Sequence, residues 1–169
     1  MKALVPYVDL FLCETISLAE EAHTAASSAL THGQGKPVWV SWTPNDTPGA
    51  GIRSGESMET AFNRLSDLDV STYLVNCTTP ESCIASIRQL KQLTSKPIGC
   101  YPNKYEYIPS DWTLDANEEN PETENSKHCI EYFTSNIRDL IAAGATVVGG
   151  CCGVGPDCIA AVAESVKNS

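Results

Sequence analysis

Thr72–Ile84 (TYLVNCTTPESCI) and Ala145–Ile159 (ATVVGGCCGVGPDCI) decide the fold. Each opens with a short β-rich apolar run, reaches cysteine, turns within a few residues, and starts a helix with proline and an acid. The starts are Thr79-Pro80-Glu81 and Gly155-Pro156-Asp157. Proline lacks the N–H that a helix's first turn leaves unpaired, and an acid there meets the positive end of the helix dipole. Thr79 adds a capping hydroxyl. An apolar run without polar alternation suits a strand covered on both faces. Two such strand–turn–helix units predict parallel strands joined by helical crossovers.

Working outward, three more runs of the same kind are Val8–Cys13 (VDLFLC), Pro37–Trp42 (PVWVSW) and Pro97–Tyr101 (PIGCY). Helical patterns lie between and after the five runs. Leu18–His32 follows the S-x-x-E pair Ser17 and Glu20, a capping-box pattern, and stops at Gly33. Ser57–Leu68 places Met58, Ala61, Phe62 and Leu65 at helical spacing. The helix opened by Thr79 runs to about Leu93, another spans Lys127–Ala143, and the last reaches about Val166. The order β-α, five times over, means a parallel sheet with right-handed crossovers. An open doubly wound sheet and part of a (βα)8 barrel both fit this order. Two long connections follow strand ends: Asn45–Gly55, and the acidic Asn103–Ser126 with Glu118, Glu119, Glu122 and Glu124. The second reads as a solvated excursion or, more sharply, as a lid over the strand ends.

The 169 residues are the size of one domain, expected to span 1–169. Hydrophobic residues make up 42% and charged residues 19%, enough for a packed core. A net charge of −10 argues against nucleic acid or an anionic membrane as partner, since both select basic patches. No apolar run approaches the ~20 residues of a membrane span. Met1–Leu12 does not read as a signal peptide, so a cytoplasmic location is expected. There the eight cysteines would be free thiols or metal ligands rather than a disulfide framework.

Working residues of α/β barrels sit at the C-terminal ends of strands. Cys77 ends the third run, and Cys151 and Cys152 end the fifth. Thiolates are soft ligands suited to Zn²⁺, and three protein ligands leave a tetrahedral zinc one open position. Adjacent cysteines make a poor disulfide but can both reach one metal, and Gly149-Gly150 permits close backbone approach before them. Cys83, Cys129 and Cys158 on helices, with Cys13 and Cys100 near strand ends, read as small buried hydrophobes. From spacing alone, a metal site and a set of ordinary buried thiols both remain open for Cys77, Cys151 and Cys152.

Val148-Gly149-Gly150-Cys151-Cys152-Gly153, followed by Gly155-Pro156-Asp157-Cys158-Ile159, resembles the C-terminal signature of the zinc-dependent homocysteine S-methyltransferase family. Val75-Asn76-Cys77-Thr78-Thr79-Pro80 resembles its other ligand motif. Asp9–Ile16, with Glu14, is similar to the family's fourth strand. Pro37–Thr43 followed by Arg53-Ser54-Gly55-Glu56 is similar to the fifth, and Tyr101-Pro102-Asn103 to the end of the seventh. The resemblance covers essentially the whole chain, in order. It implies the C-terminal portion of a (βα)8 TIM barrel, strands 4 to 8 with their helices.

The first three strands, with their Asp-Gly-Gly region, are absent from this match. Closing the barrel would then take self-association or a missing N-terminal segment. The resemblance also implies Cys77, Cys151 and Cys152 as Zn²⁺ ligands. Glu14 would contact the amino group of homocysteine, and Asn76 would support the site beside the first ligand on the substrate side. The implied reaction moves a methyl group from a sulfonium donor, S-methylmethionine or S-adenosylmethionine, to homocysteine and gives methionine, a step of methionine biosynthesis. A reading from a different class is an inactive, truncated zinc-binding half-barrel. A thiol redox protein is weaker, because no C-x-x-C is present.

Overall fold

The proline-acid starts act as their chemistry requires. Helix α3 (Pro80–Leu93) begins directly after Thr79, whose side chain accepts a hydrogen bond from the Ser82 N–H at 3.2 Å. A computed structural model describes residues 2–104 and 130–167. Five strands form one parallel sheet: β1 (Phe11–Ile16), β2 (Val38–Trp42), β3 (Thr72–Asn76), β4 (Ile98–Tyr101) and β5 (Val147–Val148). They hydrogen-bond in chain order, without the reversal that defines a doubly wound sheet. Helices α1 (Ala19–His32), α2 (Met58–Asn63), α3, α4 (Ile130–Ala143) and α5 (Pro156–Lys167) each pack on the next. They therefore form a continuous layer. Among the described residues no helix is long and apolar enough to cross a membrane.

Alternation along the strands sorts the two faces. Val40 and Trp42 pair with Tyr73 and Val75, which pair with Ile98 and Cys100. All six are buried in one core with Ala22, Ala26 and Ala29 of α1, Ile87 and Leu90 of α3, and Phe133 and Ile137 of α4. Cys13, Cys83, Cys100 and Cys158 are buried in that core too, as small hydrophobes. Burial alone pushes the Cys100 thiol up to about 12, so it stays protonated. Ser41, Leu74 and Gly99 line up across the other face, as do Asn76 and Tyr101. That face leads to the strand ends where the cysteines lie.

Several local expectations change. Val8 is not in a strand: Val5–Tyr7, with its proline, forms a single 3₁₀ turn, and β1 begins at Phe11. It runs on to Ile16 because a bulge after Cys13, with Thr15 at φ 61°, restores pairing between Ile16 and Trp42. The Ser17–Glu20 capping box does not form. Leu18 takes the cap position, and the free Ala19 N–H is bonded by the Glu56 carboxylate at 2.9 Å from 37 residues away. Glu20 instead pairs with Arg64 at 2.7 Å. Helix α2 stops at Asn63, and Leu65 reaches the core from the turns that follow. β5 is only two residues long, so Cys151 and Cys152 lie in the loop beyond it rather than on the strand. Residues 105–129 lie outside the described residues, and with them the suggested lid, Cys129 and the Lys127 start of α4.

Gly99 is what lets β4 meet so short a partner. A Cβ there would run into the Val147 carbonyl oxygen and stand 2.6 Å from the Val147 Cβ. Gly99→Ala is expected to destabilise the chain by about 1–3 kcal/mol through overpacking. Urea denaturation checks this, and an unchanged midpoint would contradict it.

Candidate metal centre

Three side chains from two separate turns converge beyond the strand ends. Cys77 leaves β3 in a left-handed conformation, φ 58°, which is uncommon for a residue with a side chain. This backbone turn sets Cys77 off the alternation of its strand. Its sulfur lies 3.9 Å from the Cys152 Sγ, and Cys152 lies 4.0 Å from the Cys151 Sγ. All three sulfurs fall within 4.8 Å of one another. Cys77 and Cys151 are half-buried and Cys152 is exposed, so the centre opens on one side.

The donor set and spacing fit a tetrahedral zinc. Bonds of about 2.3 Å at the tetrahedral angle put sulfurs about 3.8 Å apart. The thiols also share their protons unequally. The neighbouring Cys77 thiol holds Cys151 down at about 6, with help from hydrogen bonds from Cys152 and Asn76. Cys77 is pushed up by the same contact and by burial, and Cys152 by burial and by the Cys151 charge.

Asn76 is fully buried behind the sulfurs and uses every hydrogen-bonding position it has. Its Oδ1 accepts from the Ser41 hydroxyl at 2.7 Å and from the Thr15 N–H at 3.2 Å. Its Nδ2 donates to the Thr15 hydroxyl at 2.8 Å and reaches the Cys151 Sγ at 4.0 Å. Glu14 is exposed at the same end of β1, where its carboxylate accepts a hydrogen bond from the Tyr101 hydroxyl at 3.1 Å. Tyr101 pairs with Asn76 across β3 and β4, so Glu14, Tyr101 and Asn76 make a continuous polar edge along the strand ends. Burial keeps the Tyr101 phenol well above its usual range, so it remains a donor.

Sequence reading missed the supports. Ser41 is the polar residue of the otherwise apolar Pro37–Trp42 run, a signal that could have found it, whereas Thr15 lies beyond the end of its run and carried none. Asp46, in the connection after β2, accepts from the Thr78 hydroxyl at 2.9 Å and pairs with Arg53 at 3.2 Å, while its carbonyl accepts from the Ser82 hydroxyl. The 45–55 connection thus braces the turn that carries Cys77.

Fold and site together define an α/β protein with a three-thiol centre beyond the ends of its parallel strands. The homocysteine S-methyltransferase family profile matches residues 1–166, and the chain belongs to that family. It is 32% identical to homocysteine S-methyltransferase 4 of Zea mays over 95% of its length, and 31% identical to homocysteine S-methyltransferase YbgG of Bacillus subtilis over 100%. It covers 45% and 51% of those two proteins, so the chain spans about half the length of the relatives it matches. It shares its fold with the homocysteine methyltransferase MmuM of Escherichia coli. In the metallated form the TM-score is 0.69 at 23% identity, over 95% of this chain and 46% of that one.

Proposed function

We propose that the chain is the zinc-bearing half of a homocysteine S-methyltransferase barrel, with residues 1–169 as one unit of it. The observation that carries this reading is the convergence of Cys77, Cys151 and Cys152 at the spacing one tetrahedral metal requires. Five parallel strands in unbroken sequence order, backed by one helix layer, are what an arc of a (βα)8 barrel looks like. The remaining strands would come from a segment outside this sequence or from a partner. Free thiols at the centre suit a reducing compartment such as the cytoplasm.

The three cysteines would hold Zn²⁺. When bound, zinc supplies a positive charge that keeps a fourth sulfur, that of homocysteine, as thiolate at neutral pH. Asn76 fixes Cys151 from behind. Glu14, held by Tyr101, presents a carboxylate to the substrate's ammonium group. The homocysteine sulfur forms a bond to the methyl carbon of a sulfonium donor, S-methylmethionine or S-adenosylmethionine. The donor's carbon–sulfur bond breaks, its electron pair stays on the departing thioether, and the thiol proton goes to solvent. The product is methionine, which places the reaction in methionine biosynthesis.

The test is direct. Zinc-loaded chain, alone and mixed with the N-terminal half of the Bacillus subtilis relative, is given homocysteine and each donor, and methionine is measured by mass spectrometry. Methionine from the mixture supports the reading. Stoichiometric zinc with no methionine in either sample would make the chain a non-catalytic half-barrel. In an active preparation, Glu14→Gln is expected to raise the KM for homocysteine about 10-fold or more with kcat little changed, since a charged hydrogen bond is worth about 1.5–3 kcal/mol. An unaltered KM would remove Glu14 from the substrate site.

A further inference from the structure

The two cysteine-bearing turns leave strands that are not neighbours, since β4 stands between β3 and β5. The exit of β4 joins them. Toward the first turn, the Cys77 N–H donates to the Tyr101 carbonyl at 3.4 Å and the Asn103 N–H to the Thr78 carbonyl at 2.9 Å. Toward the second, the Cys151 N–H donates to the Pro102 carbonyl and the Lys104 N–H to the Cys152 carbonyl, both at 2.8 Å. One side chain adds to this bridge: the Asn103 Oδ1 accepts the Cys152 N–H at 3.2 Å. Asn103 is 1% exposed, so water does not compete for that oxygen. Cys152 is itself exposed, and the next residue, Gly153, turns through φ 76°. The most solvent-facing of the three sulfurs is therefore carried by a backbone whose N–H is anchored on a buried amide.

We infer that Asn103 is a positioning residue for the three-thiol centre, fixing Cys152 against Cys77 by bonding to both turns at once. The inference rests on the metal-centre reading above and names the residue that sets its outermost ligand. Cys152 and Cys77 stand 3.9 Å apart, close to the separation that two metal–sulfur bonds can bridge. A drift of about an ångström takes one sulfur out of reach, so the backbone behind it has to be held.

Three chains of residues 1–169 test this: wild type, Asn103→Ala, which deletes the acceptor, and Asn103→Asp, which keeps an oxygen in its place. The first readout is hydrogen exchange at the Cys152 amide in the reduced, metal-free chain, followed by NMR. Protection is expected to fall about tenfold in Asn103→Ala and to persist in Asn103→Asp, while the amides of Tyr73, Leu74 and Val75 exchange as in wild type. The second readout is zinc affinity by chelator competition, expected to drop about 10–100-fold in Asn103→Ala. The cobalt-substituted chain should show about one third less thiolate-to-metal charge-transfer absorption, because one of three thiolates has left.

Wild-type protection at Cys152 in Asn103→Ala overturns the inference, as does unchanged zinc affinity with an unchanged cobalt spectrum. If no chain binds metal, the metal-centre reading fails, and the exchange result alone decides whether Asn103 places Cys152. If Asn103→Ala does not fold, Asn103→Asp decides, and lost Cys152 protection in that variant overturns the inference.

Discussion

Replacing Cys77 or Cys152 by serine is expected to remove tight zinc binding while leaving the sheet folded. A purified, desalted wild-type chain should carry about one zinc, held by thiolates from two turns 75 residues apart. Four-ligand zinc sites contribute roughly 10–16 kcal/mol, so each thiolate is worth about 3 kcal/mol, more than a hundredfold in affinity. A serine hydroxyl does not ionise near neutral pH and is a hard ligand, so it does not substitute. Both cysteines lie outside the hydrophobic core, and serine adopts the left-handed backbone at position 77 as readily as cysteine does. Cys100→Ala is the control, because that thiol is buried on the helix-facing side and should leave the zinc in place.

Affinity should also fall with pH. Cys151 sits at about 6, while Cys77 and Cys152 are held up and must each give up a proton to the solvent on binding. Near pH 7 that is roughly a hundredfold in affinity per pH unit, steepening below about 6 when Cys151 also protonates. A folded wild-type chain without zinc, or serine variants that keep it, would sink the three-cysteine centre.

The parts of this site that were legible in the sequence are those whose chemistry is local. A proline-acid helix start announces a strand–turn–helix unit within ten residues, and cysteines at the strand side of that turn announce where they will sit. Thr79 capped its helix as read, because an N-cap needs only the next three residues. Ser17 and Glu20 carry the same kind of local signal, and it misled. The competing partner for that helix end was Glu56, brought up by the tertiary fold, and a window of four residues holds no trace of it.

Asn76 was named from the resemblance, but the partners that hold it and the anchor of Cys152 were not read, for the same reason. Asn76 is bonded to Thr15 and Ser41, 61 and 35 residues earlier, and Cys152 to Asn103, 49 residues away. Spacing alone left the three-cysteine set undecided between metal ligands and ordinary thiols. Strand-end position and the family resemblance had already set them apart from Cys13, Cys83, Cys100 and Cys158, and the burial of those four in the assembled core agrees with that division. The brevity of β5 was legible only in part: Gly149-Gly150 disfavours a strand, but that a single neighbour, β4, pairs with β5 among the described residues shows only in the fold.

Asn76→Ala is expected to cost about 2–4 kcal/mol of folding stability, more than an ordinary surface or loop change. The reason is what the alanine leaves behind rather than the bonds it lacks. The Ser41 hydroxyl, fully buried, loses its acceptor at 2.7 Å, which costs about 1–3 kcal/mol. The Thr15 N–H and hydroxyl lose their partners too, but Thr15 is exposed and water takes their place, at about 0.5–1 kcal/mol each. Thr15 also holds φ 61°, a conformation that surrounding bonds must maintain, so its bulge is expected to relax and carry Glu14 with it.

Zinc affinity should fall with stability, by about 10–100-fold, since the Asn76 amide is the group directed at Cys151. Asn76→Asp separates the two effects. It keeps acceptors for Ser41 and the Thr15 N–H, so it should recover part of the stability. A buried carboxylate beside Cys151 disfavours the thiolate, however, so zinc affinity should stay at or below that of Asn76→Ala. Urea denaturation of the metal-free chains and zinc competition on the same preparations give both numbers. A loss under about 1 kcal/mol in Asn76→Ala would mean that the polar edge is solvated and contributes little. Full zinc affinity in Asn76→Asp would mean that the amide plays no part in holding Cys151 as a ligand.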